Sequence, residues 1–505
     1  MDHLSRESFA KSYAVGEARL LSTRLVADLE TPVSAFLKLS AGRNGRLFLL
    51  ESVEGGAARG RYSMIGLDPD IIWRAFGGAC EINRRALIDP DDFTPCAEPP
   101  LKALRALIAE SRIGASDDLP PMAAGVFGYL GYDMVRQMER LPAEKSDPIG
   151  APDAMMMRPT VMVVFDAVRD EIVVVTPLRP SPETTFSAAY DSACERIEAV
   201  AAILDSPLAA QILPADPYLK AAAPVSNTSE ARFHEMVGSA KDYIRAGDIL
   251  QVVLSQRFSA PFALPAFALY RALRRINPSP FLCYLDFGAF QIVCSSPEIL
   301  VRVSGGKVTI RPIAGTRWRG QTRLEDEELA KDLLGDEKEC AEHLMLLDLG
   351  RNDVGRVAQI GSVQVTEKFA IERYSHVMHI VSNVEGRLKS EHDAIDALCA
   401  GFPAGTVSGA PKVRAMEIID ELETDKRGIY GGCIGYFGAS GEMDTCIVLR
   451  TSIVKDGMMH VQAGAGVVYD SVPAAEQREC VNKAQALFRA AEEAVRFATR
   501  PKRGQ

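Results

Sequence analysis

The sequence predicts an α+β fold in which large antiparallel β-sheets pack against helices. Short apolar runs such as DILQVVLSQRF, FLCYLDF, FQIVCSS and KVTIRPI alternate irregularly with helical stretches, not in repeated βαβ order. The turns Ser304-Gly305-Gly306, Ala439-Ser440-Gly441 and Lys455-Asp456-Gly457 connect neighbouring runs as hairpins. With 505 residues, 47% of them hydrophobic, the chain can fill two or three domains with sizeable cores.

Residues 31–178 read as β-rich, with SAFLKLS, RLFLLESV and DIIWRAF as strands between Gly, Asn and Pro. Pro99-Pro100 opens a helix with Leu101, Leu104, Leu107 and Ile108 on one face. TVMVVFD and EIVVVTPL form a hairpin across residues 167–170. Ser181-Pro182-Glu183 starts a helix running to about 204, and the Pro- and Ala-rich stretch 205–225 reads as a linker. Asn227-Thr228-Ser229-Glu230 caps a helix with an apolar stripe of Phe233, Met236, Val237, Ala240 and Ile244, which Gly247 ends. Residues 335–357 form a helix with Leu344 and Leu347 turned inward. HVMHIVSNVEG, GIYGGCIGYFG, DTCIVLRTSIV and MHVQAGAGVVY follow as strands.

A net charge of −10 argues against a general nucleic-acid binder. No apolar run reaches the roughly 18 residues of a membrane span, and MDHLSRESFAKSY lacks the apolar centre of a signal peptide. The ten cysteines are scattered without a CxxC pair, so neither a disulfide scaffold nor a zinc ribbon is indicated. A reduced, cytoplasmic enzyme without nucleic-acid or membrane partners is expected.

Glu339 and Glu342 are three apart on one helix, and Glu476 and Glu479 repeat that spacing downstream. Each pair reads as a solvated acidic face or, if the helices meet, as half of a cage for a hard cation such as Mg2+. FPAGTVSGAPK, residues 402–412, reads as a plain turn or as a loop offering N–H groups to an anion; it is not a Walker sequence. Gly464 and Gly466 in QAGAGVVY permit close approach of a ligand or backbone. His376 and His379 point to opposite faces of a strand, so they cannot share a metal. Arg450, read within an apolar strand, needs an anion or an internal Glu.

Together, CSSPEIL (294–300), RPIAGT (311–316), ECAEHLMLLDLGRNDVGRV (339–357), GFPAGTVSGAPK (401–412), QAGAGVVYDS (462–471) and EQRECVNKA (476–484) resemble the chorismate-utilising enzymes. Within that family the chain looks like the large, aminating subunits; LLESV, RYSMIG and GYLGYD carry the likeness into the N-terminal segment. The resemblance implies two interlocked domains: a regulatory one over residues 31–204 and a chorismate-binding one over 226–492. It implies a Mg2+-dependent carbon–oxygen lyase that makes anthranilate and pyruvate from chorismate and ammonia, the first committed step towards L-tryptophan. Glu342 and Glu479 would hold the metal, with Glu339 and Glu476 helping through water. Tyr430, Arg450, Gly464, Ala465, Gly466, Gly315 and Thr316 would hold the substrate, and Lys483 would add positive charge. Glu298 would be the general acid, Thr406 would lie nearby, and His376 would assist proton removal. L-Tryptophan would inhibit between Ser52 on one wall and Pro280, Phe281 and Leu282 on the other.

Two positions separate the subfamilies. Gln251 stands where salicylate and isochorismate synthases carry a water-activating lysine. Ala314 stands where aminodeoxychorismate synthases typically carry a ring-attacking lysine. Direct amination is therefore expected. No glutaminase segment is present, so ammonia would come from solution or from a glutamine amidotransferase subunit. An aminodeoxychorismate synthase and a non-catalytic sensor of chorismate or tryptophan remain the alternatives.

Overall fold

The computed structural model describes residues 6–54, 58–114, 118–142, 145–208, 221–374 and 377–499. Its 22 strands join into one hydrogen-bonded network. Every pairing among them is antiparallel, as the hairpin turns predict.

The strand Gln251–Pro261 organises the C-terminal half. It pairs with Met458–Val467 along its whole length and with Gly409–Ala410 at its start. Helices Glu230–Ala246 and Lys412–Leu422 pack on it, which explains its almost continuous burial. The first of these helices starts at Ser229, whose hydroxyl accepts from Arg232 N–H, and ends at Gly247 with φ 84°.

The two halves share hydrogen-bonded strands. Leu47–Glu54 pairs with Phe281–Asp286, which sets Ser52 opposite Phe281. Gly125–Leu130 pairs with Cys433–Gly438. Ordered structure also precedes residue 31: helix Arg6–Ala14 is followed by strand Arg19–Val26, which pairs with Glu171–Leu178. Most of the linker expected over 205–225 lies outside the described residues.

Four local readings are corrected. SAFLKLS lies in the helix Pro32–Ser40, where Thr31 and Ser34 form a reciprocal capping box and Ala35, Phe36 and Leu39 share the buried face. The helix expected from Ser181 starts only at Phe186, because Ser181 bridges Thr184 and Thr185 provides the cap. Leu344 is 46% exposed; the buried face of Glu337–Val357 runs instead through His343, Leu346, Leu347, Gly350 and Val354. DTCIVLRTSIV breaks into strands Met443–Ile447 and Thr451–Lys455, and Arg450 sits in the break.

Candidate active site

The strand Ile313–Trp318 carries an irregularity that shapes the site. Its pairing with Val377–Arg387 matches Ala314 to Ile380 and resumes with Arg317 opposite Met378, leaving Gly315 and Thr316 between. Gly315 adopts φ 66°, and a Cβ there would lie 3.0 Å from Leu333 Cδ1 and 3.2 Å from Glu339 Oε2. The Gly315 carbonyl accepts from His379 Nδ1 at 2.8 Å, and Thr316 Oγ1 lies 3.2 Å from the same nitrogen. With Nδ1–H engaged on the carbonyl, the neutral ring keeps its lone pair on Nε2. Burial lowers the His379 pKa; the Arg450 charge lowers it further, against the Gly315 carbonyl.

Two residues before Gly315, the Ile313 N–H bonds the Glu298 carboxyl. Thr406 Oγ1 donates to Glu298 Oε2 at 3.2 Å. Burial nevertheless pushes Glu298 up to about 8, against Thr406, Ile313 and the charge of Arg450. Its carboxyl is therefore protonated at neutral pH.

Arg450 holds φ 48°, an uncommon conformation for a residue with a side chain. Its carbonyl accepts from Ser295 N–H at 3.2 Å. Its guanidinium forms no ion pair among the described residues, and burial lowers its pKa. A half-buried cation beside a neutral carboxyl favours an anionic guest.

The strand Met458–Val467 supplies one wall. A Cβ on Gly464 would lie 2.9 Å from Tyr430 Oη, and one on Gly466 would lie 2.6 Å from Gln251 Nε2. At Gly464 the Leu254 carbonyl also lies 2.9 Å away and leaves no room for a side chain; at Gly466 the Gln251 amide would have to move aside. Ala465 between them is fully buried on the core face. Tyr430 is buried with the Arg427 guanidinium 5.6 Å from its ring centroid. Arg427 pairs at 2.6 Å with Glu423, which also accepts from the N–H and hydroxyl of Ser255. This buried network fixes Tyr430 against the glycine strand.

Both acidic pairs flank this wall. Gln251 Nε2 donates to Glu342 Oε1 at 3.1 Å. Lys483 Nζ donates to the Gly464 carbonyl at 3.0 Å and pairs with Glu479 at 2.7 Å. Burial raises Glu339, with repulsion from Glu342 adding to it. Burial likewise raises Glu476, with repulsion from Glu479 adding and the charge of Lys338 opposing. Lys338 also acts on Glu339, so one cation senses both helices. The all-oxygen donor set, its mutual repulsion and the unpartnered buried Oε1 of Gln251 fit a hard cation such as Mg2+. The set stands open: among the described residues no three of these carboxylates bring oxygens within 4.8 Å of one another.

The loop 402–412 reaches the site through one residue. Lys412 is engaged with Asp353 at 2.8 Å, and the loop's contribution to the site is Thr406. His376 lies outside the described residues. The histidine that the fold brings to Gly315 and Thr316 is His379, a polar residue in a buried strand that requires a partner.

Near the site, a cavity of about 530 Å3 is lined by Ser52, Pro280, Phe281, Arg61, Pro297 and Tyr374, among others. Leu282 is not on its wall. The alternation of the strand sends Leu282 into the opposite core face. The cavity shares a partition with Glu298 and His379: Pro297 precedes Glu298, Ile313 bonds it, and the Tyr374 ring packs edge-on to His379 at 5.5 Å.

Residues 66–489 match the family described as chorismate binding enzyme. Anthranilate synthase component 1 of Cereibacter sphaeroides is 57% identical over 504 residues, covering 99% of this chain and 100% of that protein. The protein of the same name from Thermus thermophilus is 48% identical, covering 92% and 96%. The crystal structure of anthranilate synthase component I from Streptococcus pneumoniae matches with a TM-score of 0.76 at 37% identity, covering 92% of this chain and 99% of that one. The menaquinone-specific isochorismate synthase of Escherichia coli shares the fold, with a TM-score of 0.70 at 18% identity over 96% and 100% of the two chains.

Proposed function

The chain belongs to the chorismate-binding enzymes, and from that premise we propose that it is the aminating subunit of an anthranilate synthase. Its reaction is chorismate plus ammonia to anthranilate, pyruvate and water. The observation that carries this reading is the buried, protonated Glu298 between Thr406 and the Ile313 N–H, with Arg450 acting on it.

Glu298 donates a proton to the departing ring hydroxyl, a poor leaving group without it. Arg450, Tyr430 and the 464–466 backbone hold the enolpyruvyl carboxylate and the ring, and Lys483 adds positive charge. Glu342 and Glu479 would hold Mg2+, with Glu339 and Glu476 assisting through water. When bound there, the ion would supply positive charge to neutralise the ring carboxylate. Ammonia adds to the carbon beside the carboxyl-bearing one. Nε2 of His379, rather than the expected His376, accepts the ring proton as pyruvate leaves.

Ammonia is supplied by a separate glutamine amidotransferase subunit. L-Tryptophan occupies the cavity beside Ser52 and Phe281 and inhibits through Pro297, Ile313 and Tyr374, which border the catalytic groups. A ligand of that size suits a cavity of about 530 Å3. The enzyme works in the cytoplasm. Product analysis with chorismate, Mg2+ and ammonium tests this reading.

A further inference from the structure

The scattered cysteines of the sequence are not all scattered in the fold. Cys283 and Cys294 sit directly opposite one another on paired strands, and the strand Met443–Ile447 brings in Cys446. All three are buried and free, and their sulfur atoms lie within 4.8 Å of one another. Three thiolates around one ion at metal–sulfur distances of about 2.3 Å would be separated by about 4 Å, which this spacing accommodates. Small apolar residues would fill such a space equally well, so packing alone does not call for three sulfurs. Cys283 and Cys446 also line the 530 Å3 cavity, which gives an ion a way in. The Cys294 Sγ lies behind them, 3.8 Å from the Leu449 carbonyl.

We propose that Cys283, Cys294 and Cys446 form a binding site for a soft, thiophilic metal ion, separate from the carboxylate site and entered from the cavity. On binding a divalent ion each thiol gives its proton to solvent, so three S–H bonds break as three metal–sulfur bonds form. No electron is transferred. The site carries a net charge of −1, and its fourth direction faces the cavity. This inference does not depend on the proposed reaction or on what occupies the cavity.

The test uses the full-length, reduced chain with excess Mg2+, so that carboxylate sites are occupied. Cd2+ is titrated and the ultraviolet thiolate-to-metal charge-transfer band is followed, since carboxylates give no such band. The expected result is saturation at one Cd2+ per chain with release of three protons. Cys294→Ala and Cys446→Ala should each weaken Cd2+ binding by at least about tenfold, a loss that even outer partners of a metal can cause. Replacing the partly exposed Cys96, Cys194, Cys340 and Cys399 by Ala should leave the band intact. Circular dichroism and Mg2+-dependent turnover check that the variants fold; if either alanine variant misfolds, Cys283→Ser and the proton count on wild type decide. A band that survives loss of Cys294 or Cys446, or one lost with the exposed cysteines, overturns the assignment. So does a disulfide within the trio in a chain that takes up no Cd2+.

Discussion

The Thr406 hydroxyl donates to the Glu298 carboxyl at 3.2 Å, yet that carboxyl titrates at about 8. Burial outweighs the hydrogen bonds and the Arg450 charge that favour ionisation. An acid catalyst works in its protonated form, so turnover should fall as pH rises through about 8. Glu298→Gln should cost roughly 10²–10⁴ in kcat at neutral pH. Thr406→Val removes a bond that lowers the pKa, and should move the alkaline limb up by roughly half to one pH unit. Between 4.5, the ordinary value, and about 8, the folded protein keeps a proton that the unfolded chain has released. This group's contribution to stability is therefore full at acid pH and is lost as pH rises through that window. A pH–rate profile of the two variants checks the assignment; an unchanged alkaline limb in both would remove Glu298 from it.

His379 is tied through Nδ1 to the Gly315 carbonyl, and this bond fixes which nitrogen is basic. His379→Ala should lower kcat by roughly a hundredfold or more with little change in KM, because the ring acts on the proton and does not hold the substrate. His376→Ala made in parallel compares the two histidines directly. A larger loss in the His376 variant would return the role to the residue the sequence suggested.

Glu342→Gln and Glu479→Gln should each reduce Mg2+ affinity or turnover by at least about a hundredfold while the thermal midpoint stays near wild type. Removing one charge from each repelling pair relieves strain in the metal-free protein, so no loss of fold is expected. Mg2+ titration by calorimetry and activity after chelation measure this. Wild-type turnover by both variants in chelator would refute the metal role.

Antiparallel order was legible because turns such as Ser304-Gly305-Gly306 are local. The helix Glu230–Ala246 was legible because its cap, stripe and terminal glycine all lie within one stretch of sequence. SAFLKLS was misread because seven residues sample too little of either period; Thr31 and Pro32 held the missing signal. The site was legible in its motifs but not in its assembly. His379 becomes distinct from His376 only through the bulge at Gly315 and Thr316, on another strand. The thiol cluster joins Cys283 and Cys294 of one hairpin to Cys446, more than a hundred positions away, and only the tertiary pairing brings the third sulfur in. Arg450 was placed in a strand because its neighbours are apolar; its positive φ depends on the break that the tertiary structure imposes.

Ser52 faces Phe281 across paired strands and donates to the Tyr62 carbonyl at 3.2 Å. Ser52→Phe places a ring in the proposed tryptophan cavity. It should leave turnover near wild type and raise the tryptophan concentration for half-inhibition by at least about tenfold, since lost packing and a clash each cost about 1.4 kcal/mol or more. Leu282→Ala, on the other face of the strand, should change stability more than inhibition. Inhibition curves for both variants decide the matter. A Ser52→Phe enzyme as sensitive as wild type would place the inhibitor elsewhere.

The identity of the product is the sharpest test of the reaction. Gln251 spends its amide N–H on Glu342, and Ala314 has no nucleophile, so neither position supplies a base for water or a group to capture the ring. Ammonia arrives neutral and needs no such base. After it adds, a ring proton must still leave with pyruvate, and the lone pair on His379 Nε2 is available for that step. Purified chain with chorismate, Mg2+ and ammonium at mildly alkaline pH should therefore give fluorescent anthranilate and pyruvate in equal amounts. Glutamine should replace ammonium only when an amidotransferase subunit is added. Chromatography of one reaction separates the outcomes. Aminodeoxychorismate as sole product, with nitrogen on the carbon that carried the ring hydroxyl, would move the chain to the other aminating branch. Salicylate or isochorismate would show that Gln251 does not exclude water. Folded, Mg2+-loaded protein that binds chorismate without turnover would leave it a sensor.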